Sequence, residues 1–328
     1  MSKRIEWIDT LRGFAMFFVI LGHAFVKRSN YIRKYIYSFH MPLFFFISGM
    51  TTKKYDLTIK EFLKKKAKSL LLPYLCLNIF VLILKYILHF TLSIYNNLNL
   101  TDSFIYLLKG YSNSLPCIQS WFIICLFVIE FLFFLITKYI KNDKYVGLTI
   151  VLVFILGYLY SITGWNFLVI WHIDTALVGL LFYYCGYLFM RHIEKYNKII
   201  TDNKSIIICV LLLVLGYILQ SINTKVSMNV NDYGNIFIFL IACFITILGI
   251  IILINILFKK SRLFKGIGLM SIFYLGYHGF ILTIFKNFLP VMLSNDLLTI
   301  LTSFITLLIL YPLAKLVLKY CPILVGKI

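Results

Sequence analysis

No segment of the chain is polar over a long enough stretch to fold as a soluble domain. The longest weakly apolar stretches, 95–119 and 223–235, are too short to bury a core of their own. Charged residues are only 13% of the sequence against 61% hydrophobic and 18% aromatic, and mean hydropathy is +0.92, which excludes soluble globular and disordered classes. Cysteine pairs are also missing. The seven cysteines (Cys76, Cys117, Cys125, Cys185, Cys209, Cys243, Cys321) stand singly with no CxxC spacing, so neither a disulfide framework nor a zinc site is expected. The first apolar run is interrupted by Asp9 and Arg12 and is followed by no small-residue cleavage site, so it reads as a retained span and not as a secretory signal. No hydropathy symmetry relates the two halves, which counts against a transporter built from inverted repeats.

What is present is a succession of apolar runs. Ten are of spanning length: about 9–27, 35–52, 69–94, 119–139, 145–162, 168–190, 205–222, 235–258, 266–289 and 296–320. The expected fold is all-α, a single polytopic membrane domain over 1–328. An even number of spans puts both termini on one side. Placing the N-terminus in the cytoplasm gives the cytoplasmic segments 24 of the 32 basic residues, which favours an N-in, C-in topology. The same asymmetry accounts for the net charge of +20 through topology and contact with anionic lipid, leaving nucleic-acid binding without support. A smaller basic group, Lys27, Arg28, Arg33 and Lys34, falls on the outer side, where it forms a rim able to attract an anionic acceptor or simply snorkels at the membrane surface.

The first span carries the most informative polar residues. In RIEWIDTLRGFAMFFVILGH, residues 4–23, Arg12 and His23 are eleven positions apart. Eleven positions are about three helical turns, so the two side chains share a face and are separated by a rise of roughly 16 Å. Asp9 lies on the same face one turn earlier and is placed to orient Arg12. Ionisable residues at membrane depth are functional candidates. Others are Glu130 in the fourth span, Asp174 in the sixth and His278 in the ninth. Glu130 and Asp174 are expected to find a partner such as Lys85, Arg12 or a histidine. Trp121 and Trp171 suit an interface belt or the aromatic wall of a sugar cavity. Ser48 closes the aromatic run Phe44–Phe46 of the second span, where Pro42 loosens the backbone. Residues 57–74, LTIKEFLKKKAKSLLLPY, set Ile59, Phe62 and Leu63 against Lys60, Lys64 and Lys68, the pattern of an amphipathic interfacial helix whose lysines face either lipid or the phosphates of a soluble donor. The stretch 95–119 is the longest outer loop and is expected to act as a lid.

Several motifs, in order along nearly the whole chain, resemble the acyltransferase 3 superfamily, and within it the compact group related to fucose 4-O-acetylases. They are IDTLRGFAMFFVILGH at 8–23, with a basic-x10-His spacing met by Arg12 and His23, FHMPLFFFISGM at 39–50, KKKAKSLLLPY at 64–74, SWFIICLF at 120–127, WHIDTALVGLLFYYCGYL at 171–188, YGN at 233–235 and GLMSIFYLGYH at 268–278. The resemblance implies a multi-pass protein of the bacterial plasma membrane that moves an acyl group, usually acetyl, from cytoplasmic acetyl-CoA to a hydroxyl of a surface polysaccharide or lipid-linked sugar. On that reading Arg12, Lys65, Lys68 and Tyr74 hold the donor, and Asp9, Arg12, His23 and Ser48 form the reacting centre. Trp121, Glu130, Trp171, Asp174 and His278 then contact the acceptor, and no metal is involved. Histidine is the side chain suited to take a proton from a hydroxyl at neutral pH, which makes His23 the general base, with an acetyl-histidine relay as the alternative.

The sequence departs from the family in three ways. An arginine pair before the third span is replaced by Lys65 and Lys68, which bind phosphate as point charges without the guanidinium fork. A tryptophan-serine signature ending in glutamate becomes Trp121-Phe122-Ile123, with Leu126 at the glutamate position. The appended extracytoplasmic hydrolase-like domain of some relatives is not expected. Outside the resemblance, buried charges and interrupted spans also suit a transporter or a membrane sensor domain, and oligomeric state stays open.

Overall fold

The computed structural model describes residues 5–25, 30–53, 56–92, 99–111, 115–163 and 169–325, and among them there are helices and no strands. Lys27 and Arg28 of the basic rim, and parts of the 95–119 loop, lie outside the described residues. Fourteen α-helices follow in order: α1 Glu6–Ala24, α2 Tyr31–Met50, α3 Ile59–Lys66, α4 Leu72–Leu92, α5 Leu100–Lys109, α6 Trp121–Tyr139, α7 Asp143–Ile162, α8 Ile173–Arg191, α9 Ile193–Thr201, α10 Ile206–Ile222, α11 Ile236–Leu253, α12 Arg262–Leu269, α13 Ser271–Phe288 and α14 Asp296–Tyr320.

Among the described residues, each apolar run of the sequence is mainly helical. By length and composition, seven described helical segments can cross a membrane, or eight when α12 and α13 count as one bent span. α1 and α2 are not among them, because the ionisable residues that make them chemically interesting (Asp9, Arg12 and His23; Arg33, Lys34 and His40) depress their mean hydropathy. The ninth run, 266–289, is not one straight rod: α12 and α13 meet at Met270 with a bend of 93°. The outer faces of α7 and α10 are rows of exposed apolar side chains, Leu148, Leu152, Leu156 and Leu159 on one and Ile207, Leu211, Val214 and Ile218 on the other. Such rows are excluded from the surface of a soluble monomer and fit a lipid environment, as expected of a multi-pass membrane protein.

The chain divides into two compact units, one of residues 1–52, 182–274 and 278–313, the other of 53–181, 275–277 and 314–328. In the first, α1 lies against α12 with backbones almost touching. A Cβ at Gly13 would run into the Phe264 carbonyl and a Cβ at Gly268 into the Asp9 carbonyl. Small residues at a crossing let helix backbones approach in this way. Tyr35 ties α2 to α10 and α11, with its hydroxyl 3.1 Å from both the Leu213 carbonyl and Thr246 Oγ1.

In the second unit, the amphipathic segment forms as its pattern predicts. Thr58 and Glu61 make a capping box at the start of α3, and Phe62 on the apolar face stacks on Phe134 of α6 with ring centroids 4.1 Å apart. α3 then runs through a π-helical turn, Ala67–Leu71, into α4. Pro73 supplies a reason: it has no N–H to give and its ring crowds the carbonyl four residues back, so a widened turn relieves both. Buried Asn78 holds α4 to the segment before α6, donating to Ser120 Oγ at 2.8 Å and accepting from the Cys117 N–H at 3.0 Å. The expected lid stretch 95–119 contains α5, which Asn99 caps through the N–H groups of Thr101 and Asp102.

Candidate functional site

His23 stands in the last turn of α1 with part of its side chain exposed at the protein surface and its Nδ1 3.4 Å from the Tyr37 hydroxyl. The chain returns at once. Asn30 caps α2 by accepting from the Arg33 N–H, and α2 then packs back along α1. Gly22 permits the approach, since a Cβ there would sit 3.2 Å from the Tyr37 ring. The Arg33 guanidinium covers Tyr37 at 4.1 Å from the ring centroid. The His278 ring of α13 lies 5.2 Å from that of His23, and the His40 ring lies 4.9 Å from that of Tyr37.

His40 and His278 are buried and locally locked. Their Nδ1 atoms lie 2.8 and 2.7 Å from the carbonyls of Ile36 and Tyr274, one turn earlier on their own helices. A carbonyl only accepts, so in both rings Nδ1 carries a proton. Further along α1, Asp9 is buried at 4% exposure and lies 3.7 Å from Arg12, the i, i+3 ion pair the sequence spacing implied. Ser48 Oγ donates to the Phe44 carbonyl at 2.9 Å, so its proton is engaged within its own helix. Within this unit the structure thus joins Asp9 to Arg12 and His23 to His278, while the Ser48 hydroxyl bonds back along α2 and not to either pair.

The other expected residues lie in the second unit. Lys65 and Lys68 are exposed on α3 and the following turn. Tyr74 is instead buried at 2% exposure, with its hydroxyl donating to the Leu107 carbonyl at 2.8 Å as a tether from α4 to α5. Glu130 pairs with Lys66 at 2.8 Å, and both side chains are close to 90% buried. That partner differs from the expected Lys85, Arg12 or histidine. The Phe62 to Phe134 stack sets the register, so that Lys66, one turn beyond Phe62, meets Glu130, one turn before Phe134.

Trp121 and Trp171 share a neighbourhood around His172. The Trp121 and His172 rings are 5.1 Å apart, Trp171 packs on Phe127 at 5.8 Å, and the Trp171 indole N–H donates to the Leu108 carbonyl at 2.9 Å. Trp171 and His172 both adopt the left-handed region, with φ of 60° and 52°. Two adjacent bulky residues there are uncommon and strained. Asp174 lies just beyond, in the first turn of α8, with its Oδ1 accepting from the Thr175 N–H at 2.8 Å.

The acyltransferase domain profile of the acyltransferase 3 family matches residues 5–315, a stretch that takes in both of these neighbourhoods. The chain belongs to the acyltransferase 3 family. No curated protein and no solved structure matches it.

Four further residues of this acyltransferase 3 chain belong to one or other neighbourhood without having been selected from the sequence. Tyr37 and His40 sit two turns into α2, where helical phase pairs them with His23 only once the α1–α2 return is known. Lys66 is one of three consecutive lysines, and only the Phe62 stack tells which one turns inward. His172 lies inside the WHID motif and is 7% exposed. Its Nε2 is buried with no hydrogen-bond partner among the described residues, and its ring also bonds to the Gly110 backbone. A buried unsatisfied acceptor beside a strained backbone is a signal no one-dimensional pattern carries.

Proposed function

We propose that this acyltransferase moves an acetyl group from cytoplasmic acetyl-CoA to a hydroxyl of a cell-surface polysaccharide or its lipid-linked precursor. The observation that carries the reading is His23, exposed at the end of α1 against Tyr37 and His278, on the same helix face as the Asp9 to Arg12 ion pair. The protein on this reading is a bacterial plasma-membrane enzyme of ten spans with both termini in the cytoplasm, where α1 and α2 complete the count. Arg12, Lys65 and Lys68 supply positive charge to the CoA phosphates from the cytoplasmic side. The thioester of the slender pantetheine arm then lies toward His23, roughly 16 Å up the helix.

The chemistry balances with the groups present. The acceptor oxygen attacks the thioester carbonyl carbon while His23 takes its proton. Collapse of the tetrahedral centre then forms the ester, breaks the C–S bond and releases the thiolate, which recovers the proton from His23. For Nε2 to hold the lone pair, Nδ1 must carry the hydrogen and donate it to the Tyr37 oxygen. Tyr37 is therefore a positioning residue: with its oxygen accepting from Nδ1, it holds the ring with Nε2 as the free base. Tyr37→Phe is expected to lower kcat about tenfold with little change in the KM for acetyl-CoA, the loss of one orienting hydrogen bond. Steady-state kinetics on the variant check this; an unchanged kcat would remove Tyr37 from the mechanism.

The direct test is to incubate purified protein in nanodiscs with acetyl-CoA labelled in the acetyl group and with oligosaccharides released from the host's surface glycan. Label transferred to sugar is the expected result. Transport of sugar across vesicles without any thioester cleavage would favour the transporter reading instead.

A further inference from the structure

α8 and α10 lie in helical segments, Ile170–Arg191 and Asn203–Ile222, that are each long and apolar enough to cross a membrane. The link between them, which contains α9, is therefore held at a membrane surface. The His192 N–H closes α8 on the carbonyls of Leu188 and Phe189, and the chain turns there into α9. Tyr196 of α9 then folds back onto Phe189 of α8, with stacked rings 5.4 Å apart. α9 packs against α11 and the π-helical turn Ile254–Phe258 that follows α11, and Ile200 is its buried residue.

Beside that packed face α9 leaves apolar side chains uncovered. Tyr196 is 41% exposed and Ile199 is 50% exposed. They are three positions apart, and Lys195 stands one turn from both Lys198 and Ile199, so the four side chains form one continuous patch. Both lysines are exposed and, among the described residues, neither makes an ion pair. The other amphipathic helix, α3, differs, since its apolar Phe62 is covered by Phe134. An uncovered apolar edge bordered by lysines is the pattern of a helix lying in the membrane interface, with its apolar side chains at acyl depth and its ammonium groups among the headgroups.

Charge selects the lipid. The link 191–205 carries Arg191, Lys195, Lys198 and Lys204 against Glu194 and Asp202. The π-helical turn beside α9 leads directly into Lys259, Lys260 and Arg262, with no acid among residues 254–264. No undescribed residue of the chain is an aspartate or glutamate, so none of them cancels this excess. We infer that α9 docks on the membrane by binding anionic phospholipid, with Lys195 and Lys198 on the phosphate and Tyr196 and Ile199 against the acyl chains. On the proposed topology this is the cytoplasmic leaflet, where basic segments meet anionic headgroups. The inference needs the multi-pass architecture and does not depend on the acyl transfer.

The test is hydrogen–deuterium exchange of residues 192–202 in full-length protein, in nanodiscs of phosphatidylcholine alone and in nanodiscs enriched in phosphatidylglycerol. Phosphatidylglycerol is expected to slow exchange of the α9 amides about thirtyfold, about fivefold for each of the two lysines. Lys195→Gln/Lys198→Gln is expected to abolish that difference, and Ile199→Ser to reduce it severalfold. Lys141→Gln/Lys144→Gln removes the same charge from exposed positions between α6 and α7 and should leave the difference intact. All variants are first shown to melt at the wild-type temperature. Equal exchange in the two bilayers overturns the inference. So does a difference left at full size by either α9 variant, or one that Lys141→Gln/Lys144→Gln also abolishes. Inorganic phosphate added to the phosphatidylcholine nanodiscs is the last arm: slowing equal to that by phosphatidylglycerol would mean a site for free phosphate and would overturn the assignment to lipid.

Discussion

His23→Ala is expected to lower acyl transfer by about 10²–10⁴-fold, the range for loss of a positioned general base, equivalent to about 3–5 kcal/mol of barrier. The effect should appear mainly in kcat, because the imidazole acts on the proton leaving the acceptor and contributes little to donor binding. The measurement is label transfer from acetyl-CoA by the variant in nanodiscs, with His23→Gln beside it as a polar side chain that does not act as a base. Transfer within twofold of wild type would sink the assignment of His23. The same samples separate a base from an acyl carrier. If His23 forms an acetyl-imidazole, wild-type protein quenched in the absence of acceptor gains an acetyl mass that both variants lose. If it acts only as a base, no protein-bound acetyl accumulates while transfer still depends on the residue.

How much of this was legible in the sequence follows from what each feature depends on. The helices were legible because apolar runs of spanning length have few alternatives in lipid, where backbone groups must be satisfied within the segment. α14 spans Asp296–Tyr320 as the hydropathy indicated. The Asp9 to Arg12 pair was legible because three residues along a helix is a fixed geometry. The right-angle break at Met270 was not, since it accompanies the close crossing of α1 and α12 at Gly13 and Gly268, a tertiary contact across more than 250 residues. The Tyr37 contact needed the direction of the α1–α2 return, and the hydrogen bond from Asn30 to Asp296 needed the start of α14 to arrive beside α2. Tyr74 is a different case. Its place in a motif suggested a donor contact, while burial and the Leu107 carbonyl give its hydroxyl a structural partner.

Lys66→Met is expected to destabilise the protein by about 3–5 kcal/mol, because it strands the Glu130 carboxylate in a site that is about 90% buried. The loss is larger than removal of an exposed lysine, which costs about 0–1 kcal/mol even when paired. Lys65→Met and Lys68→Met, on the exposed side of the same segment, therefore serve as controls with small expected effects on melting. Glu130→Gln is expected to cost less than Lys66→Met, since the amide can still accept from the lysine. The double variant Lys66→Met/Glu130→Leu should recover much of the loss, because two apolar side chains of similar size need no partner. Thermal unfolding of these four single variants, of Glu130→Leu alone and of the double variant in one detergent checks the series. Additive losses in the double variant would show that the two residues do not act as a pair. The pair also bears on function, since α3 is held to α6 by Phe62 and Phe134 on one turn and by Lys66 and Glu130 on the next. Breaking it frees the segment that carries Lys65 and Lys68, so Lys66→Met should raise the KM for acetyl-CoA if those lysines hold its phosphates, whereas Tyr37→Phe should leave that KM almost unchanged.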